Sequence, residues 1–160
     1  MYNNGEFHTV RGYEILDKGK KLLTNSMEDY LEMIYRTSIE EGYTRINLLA
    51  EALNVQASSV TKMVQKLNKL GLIKYEKYGI IQLTDDGREI GIFLMKRHRT
   101  IEDFLRLIGL EENILLNTEL IEHNVTSDAL YKIEMLNSFF QNYPEVLEKY
   151  EEYRKIHNEE

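Results

Sequence analysis

The 160-residue chain has no cysteine, no tryptophan and a single proline. Without cysteine there is no disulfide, no thiolate zinc site and no thiol nucleophile, which leaves His, Asp and Glu as the side chains able to hold a metal. Long apolar runs are missing as well. None approaches the roughly 20 residues that span a bilayer, and the opening MYNNGEFHTVRGYE lacks the apolar stretch of a secretory signal. The expected compartment is therefore the cytoplasm, with no membrane partner. Internal repeats and low-complexity tracts are absent too. What is present is 42% hydrophobic residues, including 11 Tyr, against 29% charged. That is enough apolar surface for a real core in one domain or two small ones.

The net charge of −7 conceals an asymmetry. Residues 1–55 carry 6 basic and 9 acidic groups, residues 56–99 carry 9 and 4, and residues 100–160 carry 5 and 14. A basic middle followed by an acidic tail predicts a polyanion-binding surface joined to a part with another task.

Apolar spacing and punctuating residues set the organisation. Residues 1–25, with three glycines and scattered apolar side chains, read as a flexible arm. Helical order begins at Ser26, where Met27, Leu31, Ile34 and Tyr35 recur at helical spacing, and the helix ends near Gly42. A short helix, 47–53, and a tight connection at Asn54 lead to a longer helix, 57–70, closed by Gly71. Residues 72–83, broken at Lys77-Tyr78-Gly79, form a β-hairpin. This order is that of a winged helix-turn-helix, assigned to residues 26–84. Thr84 caps a long helix to about residue 108, and residues 85–160 form an all-helical domain. An acidic segment spans 111–123, Thr126 caps the next helix, and a last one runs from Pro144 to about residue 157. The fold class is mainly α. Large apolar residues such as Leu130, Ile133, Leu136, Phe139 and Phe140 suit burial against a second subunit.

A helix of about four turns fits the major groove, where residues near its N-terminus reach base edges and lysines reach phosphates. Ser58, Ser59, Thr61 and Lys62 hold the leading positions of the 57–70 helix. Gln65, Lys66 and Lys69 extend the surface, and Lys74 and Lys77 place positive charge on the wing.

Two carboxylates, Asp29 and Glu32, lie at i and i+3 on the first helix. Glu119, Glu122 and His123, at i, i+3 and i+4, share one helical face, while His98 sits in the long helix among Lys96, Arg97 and Arg99. Taken singly, each has an innocent reading as a solvated or capping group. Together, four carboxylates and two imidazoles make a hard, oxygen-rich shell suited to Mn²⁺ or Fe²⁺. Two divalent ions would bring a local charge of −4 close to neutral and draw the segments together.

The stretches SMEDYLEMIY (26–35), LAEALNV (49–55), SSVTKMVQKL (58–67), YEKY (75–78) and IEHNV (121–125) resemble the metal-dependent repressors of the diphtheria toxin repressor family, most closely its manganese transport regulator branch. The resemblance implies a two-metal site at Asp29, Glu32, His98, Glu119, Glu122 and His123. The iron-responsive branch has sulfur ligands, including a Met at the position of Asp29, where this chain has oxygen. The implied co-repressor is thus Mn(II), with two ions per subunit, and Fe(II) or other divalent metals as possible substitutes. It also implies a homodimer through the C-terminal helices, acting at a palindromic DNA operator to repress metal-uptake genes, without enzymatic activity or a small organic substrate. The arm before Ser26 is longer than the branch leads one to expect, and no segment matches the third domain of longer iron-responsive members. Two alternatives are a two-metal hydrolase, which would lack a separate nucleophile or phosphate-binding glycine motif, and a winged-helix regulator indifferent to metal.

Overall fold

A computed structural model describes residues 23–157, with the side chain of Lys77 left aside. The expected arm therefore lies outside the described residues up to residue 22. The chain divides into two compact units, Met1–Lys96 and Arg97–Glu160.

In the first unit, helix α1 (Asn25–Ser38) buries Tyr30, Leu31 and Ile34. It starts one residue before the expected Ser26 and is capped by Thr24, whose Oγ1 accepts from Met27 N–H at 3.3 Å. The helix also ends earlier than expected. Residues 39–42 leave the helix in a turn that Gly42 closes with φ +77°, its N–H donating to Ser38 O at 2.8 Å. A two-residue strand, β1 (Thr44–Arg45), follows. It had no counterpart in the sequence reading, because two residues carry no periodicity.

Helices α2 (Ile46–Ala52) and α3 (Ala57–Lys69) start and stop within a residue of expectation. Val60, Val64 and Leu67 on α3 are fully buried, as the 3.6-residue period requires. Strands β2 (Ile73–Tyr75) and β3 (Ile80–Leu83) form the antiparallel hairpin, with Lys74 opposite Gln82, and β1 adds to β3 to give the order β1-β3-β2. Winged helix-turn-helix is thus the architecture of this unit.

The long helix α4 (Asp85–Leu107) is capped by Thr84. Its hydroxyl accepts from Gly87 N–H at 3.1 Å and lies 2.8 Å from Gly71 O and 3.0 Å from Leu72 O, its proton going to one of these carbonyls. Gly87 is needed there: a Cβ would sit 1.8 Å from Leu72 O, so the cap and the hairpin base approach more closely than any side chain allows.

The second unit contains the end of α4 with α5 (Ile114–Glu122), α6 (Ser127–Asn142) and α7 (Pro144–His157). Thr126 caps α6 as expected, and Pro144 opens α7. Asn137 of α6 donates to Thr100 O at 2.9 Å, and Arg154 of α7 donates to Gly109 O at 3.1 Å. Among the described residues, no helix is long and apolar enough to cross a membrane.

Candidate functional site

The reading surface belongs to the first unit. The buried row Val60, Val64, Leu67 turns the opposite face of α3 outward, so Ser58, Ser59, Lys62, Gln65, Lys66 and Lys69 are exposed and Thr61 is half-buried. Thr61 hydroxyl donates to Ala57 O at 2.9 Å within the helix. Lys74 is exposed on β2, while the side chain of Lys77 lies outside the described residues. The wing is tied to this helix: Asn68 Oδ1 accepts from Tyr75 N–H at 3.2 Å. The start of α3 has no side-chain cap, and an uncapped helix N-terminus with serines beside it favours an anionic partner such as phosphate.

Also in the first unit, α1 carries Asp29 and Glu32, three residues apart. Asp29 is half-buried, and Glu32 is buried and paired with Arg36 at 2.5 Å. The remaining four metal candidates lie in the second unit, where α4 and α5 bring them together. Glu119, Glu122 and His123 each offer a ligand atom, and these atoms lie within 4.8 Å of one another. Glu122 is 1% exposed, and both its oxygens face imidazoles: Oε2 lies 2.9 Å from His98 Nδ1, and Oε1 lies 3.7 Å from His123 Nε2.

Burying a carboxylate is costly unless opposite charge or a metal compensates it. A carboxylate enclosed by imidazoles, with Glu119 alongside, is a donor set of oxygen and nitrogen only. That set fits a divalent first-row ion and lacks the thiolates of a closed structural zinc site.

Two neighbours of this cluster escaped the sequence reading. Glu102 Oε2 lies 3.9 Å from His98 Nε2, and Arg106 donates to the other oxygen of that carboxylate at 2.7 Å. Arg97 Nη2 lies 3.2 Å from His123 Nδ1. The i, i+4 spacing of His98 and Glu102 was a usable signal. Arg97 gave none, since in sequence it is one of a run of basic residues.

Residues 22–81 match the iron-dependent repressor N-terminal DNA-binding domain, and residues 84–151 match the iron-dependent repressor metal-binding and dimerisation domain. The chain belongs to the iron-dependent repressor family. As a member it is a DNA-binding, metal-binding transcriptional regulator that pairs with a second copy, and not an enzyme. It is 52% identical over 119 residues to the HTH-type transcriptional regulator MntR of Geobacillus kaustophilus, covering 74% of this chain and 84% of the relative. Against the same regulator of Lysinibacillus sphaericus it is 43% identical over 136 residues, covering 84% and 98%. Among solved structures, the manganese regulator SloR is 31% identical, with a TM-score of 0.60 over 74% of this chain and 54% of that one.

Proposed function

We propose that this chain is a manganese-responsive repressor of metal-uptake genes, with Mn(II) as co-repressor of a homodimer at a palindromic operator. The buried Glu122 carboxylate between His98 and His123, in a domain of the metal-binding type, carries the reading. Asp29, Glu32, His98, Glu119, Glu122 and His123 would hold two ions per subunit. The bound metal supplies positive charge that cancels the mutual repulsion of the four carboxylates. The chain's own contribution is to place two of those carboxylates on α1, the helix that packs behind the reading helix of the winged unit. Fixing Asp29 and Glu32 thereby favours one arrangement of the DNA-binding surface. All-oxygen and imidazole ligands, and solved structures described as manganese regulators, favour manganese over iron. Because manganese binds weakly in the usual order of divalent metals, Zn²⁺ should bind well yet activate poorly.

The exposed residues Ser58, Ser59, Lys62, Gln65, Lys66, Lys69 and Lys74, with Thr61 and Lys77, are the proposed DNA contacts, and the winged helix-turn-helix domain expected at 26–84 and the helical domain expected at 85–160 divide the labour. The test is a fluorescence-anisotropy titration onto an operator selected from a random pool, with EDTA, Mn²⁺, Fe²⁺ or Zn²⁺ at fixed ionic strength, since phosphate contacts alone shift affinity by orders of magnitude. Operator affinity should rise by roughly 5- to 150-fold with Mn²⁺, the usual scale of allosteric coupling. Equal binding in EDTA would remove metal as the switch.

A further inference from the structure

We propose that Tyr78, at the tip of the wing, is a DNA contact that reaches the sugar edge of the minor groove beside the stretch read by α3. The proposal rests on the reading of this chain as a repressor, and three observations on the winged unit carry it.

The first is backbone conformation. The hairpin turn is closed by Glu76 N–H donating to Ile80 O at 3.0 Å, and within it Tyr78 and Gly79 take φ +72° and +74° in succession. Glycine adopts this left-handed region freely, whereas a bulky aromatic residue is a genuine outlier there. Asn or Gly would make the same turn without strain. A residue held against its local preference in an exposed loop points to function rather than to folding.

The second is exposure. Tyr78 is 92% exposed, whereas the other large apolar side chains exposed in this unit, Ile39, Leu48 and Val55, reach at most 56% among the described residues. The ring therefore adds nothing to the core that Ile73 and Ile81 form beneath the hairpin.

The third is position. The bond from Tyr75 N–H to Asn68 Oδ1 fixes the base of the wing to the helix that carries Lys62, Lys66 and Lys69. The outward face of the hairpin bears the exposed cross-strand pair Lys74 and Gln82. Beside the ring lies a cavity of about 520 Å³ whose wall includes Arg45 and Asn47, donors for a phosphate, with Glu51 on the same wall and Glu76 in the turn as opposing charges. With α3 in the major groove, a rigid element one strand away meets the adjoining backbone and minor groove. A phenol ring can pack on deoxyribose there while its hydroxyl meets a phosphate or a groove-floor acceptor.

The experiment compares the wild type with Tyr78→Asn and Tyr78→Phe, in Mn²⁺, on a selected operator with long flanks and on the same operator trimmed to its half-sites. Asn tolerates the left-handed turn, so Tyr78→Asn should keep or raise the thermal midpoint. It should nonetheless lose roughly tenfold in affinity for the long duplex, at the lower end of what one aromatic contact to nucleic acid contributes. On the trimmed duplex it should match the wild type, and Tyr78→Phe should keep most of the long-duplex affinity. Hydroxyl-radical protection of flanking minor-groove sugars should vanish with Tyr78→Asn. Undiminished binding of the long duplex by Tyr78→Asn, or equal losses on both duplexes, would overturn the wing contact alone. A wild type that binds no duplex under any metal would take down the repressor reading along with it, and that pattern is distinct from the other two.

Discussion

The two units of this chain spend their apolar residues differently. Of the 16 apolar side chains buried among the described residues, 13 lie in the first unit and three, Ile101, Leu105 and Leu130, in the second. The exposed large apolar side chains divide the other way, four against eleven, and α7 buries none of its residues. Buried polar residues follow the second unit too: Arg97, His98, Thr100, Thr118, Glu122 and Asn137 there, against Glu32, Ser38 and Thr44 in the first. A unit that closes its own core can present a reading helix and wing with fixed geometry. A unit that buries a carboxylate between imidazoles and leaves leucines in water has the composition of one that a metal and a second subunit would complete.

The largest effect should come from breaking the polar interior of the second unit. Glu122→Ala removes the carboxylate that faces both His98 and His123, and metal affinity should fall by more than about 100-fold, beyond the 10- to 100-fold typical of outer-shell partners. Competition with a metal-indicator dye measures it, and operator binding should become indifferent to Mn²⁺. The apo protein should lose some stability as well, since His98 is left buried without its partner, so metal affinity is compared on folded protein below the thermal transition. A variant that keeps its metal affinity would shift the site away from the α4–α5 cluster.

Next in size is the apolar face. Leu115, Leu116 and Leu120 on α5 are 63%, 58% and 64% exposed. The double change Leu116→Glu and Leu120→Glu should raise the dimer dissociation constant by about 10- to 100-fold, as charges placed in an apolar interface do. Sedimentation velocity would follow it, while the far-ultraviolet signal stays close to that of the wild type. Unaltered association would assign the interface to α6 and α7 instead, where Tyr131, Met135 and Phe139 are exposed.

The same contrast governs what was legible in the sequence. In the first unit, apolar spacing located α3 and the hairpin because the core there is built by regular periodicity. Strand β1 was invisible, being two residues paired through β3, and the start of α1 was misplaced because Thr24, Asn25 and Ser26 are all good caps and only packing chooses among them. In the second unit, the Glu119, Glu122, His123 spacing put three polar side chains on one helical face, and the structure brings their side-chain atoms together. The burial of His98 could not be read locally, since Lys96, Arg97 and Arg99 around it look like a solvated stretch; the fold turns that side of α4 inward against α5. The pairing of Arg97 with His123, 26 residues away, and the left-handed backbone of Tyr78 belong to tertiary structure and turn geometry that no periodicity encodes.

The smallest expected effect sharpens the comparison most directly, because one residue type does the same task in each unit. Thr84 caps α4 and Thr126 caps α6, but their surroundings differ. Thr84 Oγ1 accepts from Gly87 N–H and donates into the base of the wing at Gly71 or Leu72, so it joins two elements of a closed core. Thr126 Oγ1 only accepts from Ala129 N–H, at 3.4 Å and in an exposed position. Loss of a threonine cap costs about 0.5–2 kcal/mol, and the two sites should mark the ends of that range. Thr84→Ala should therefore cost about 2 kcal/mol and Thr126→Ala about 0.5 kcal/mol in urea unfolding of the metal-free protein. Equal losses would mean that the second unit is as tightly built as the first, and its dependence on metal and partner would need a cause other than an incomplete core.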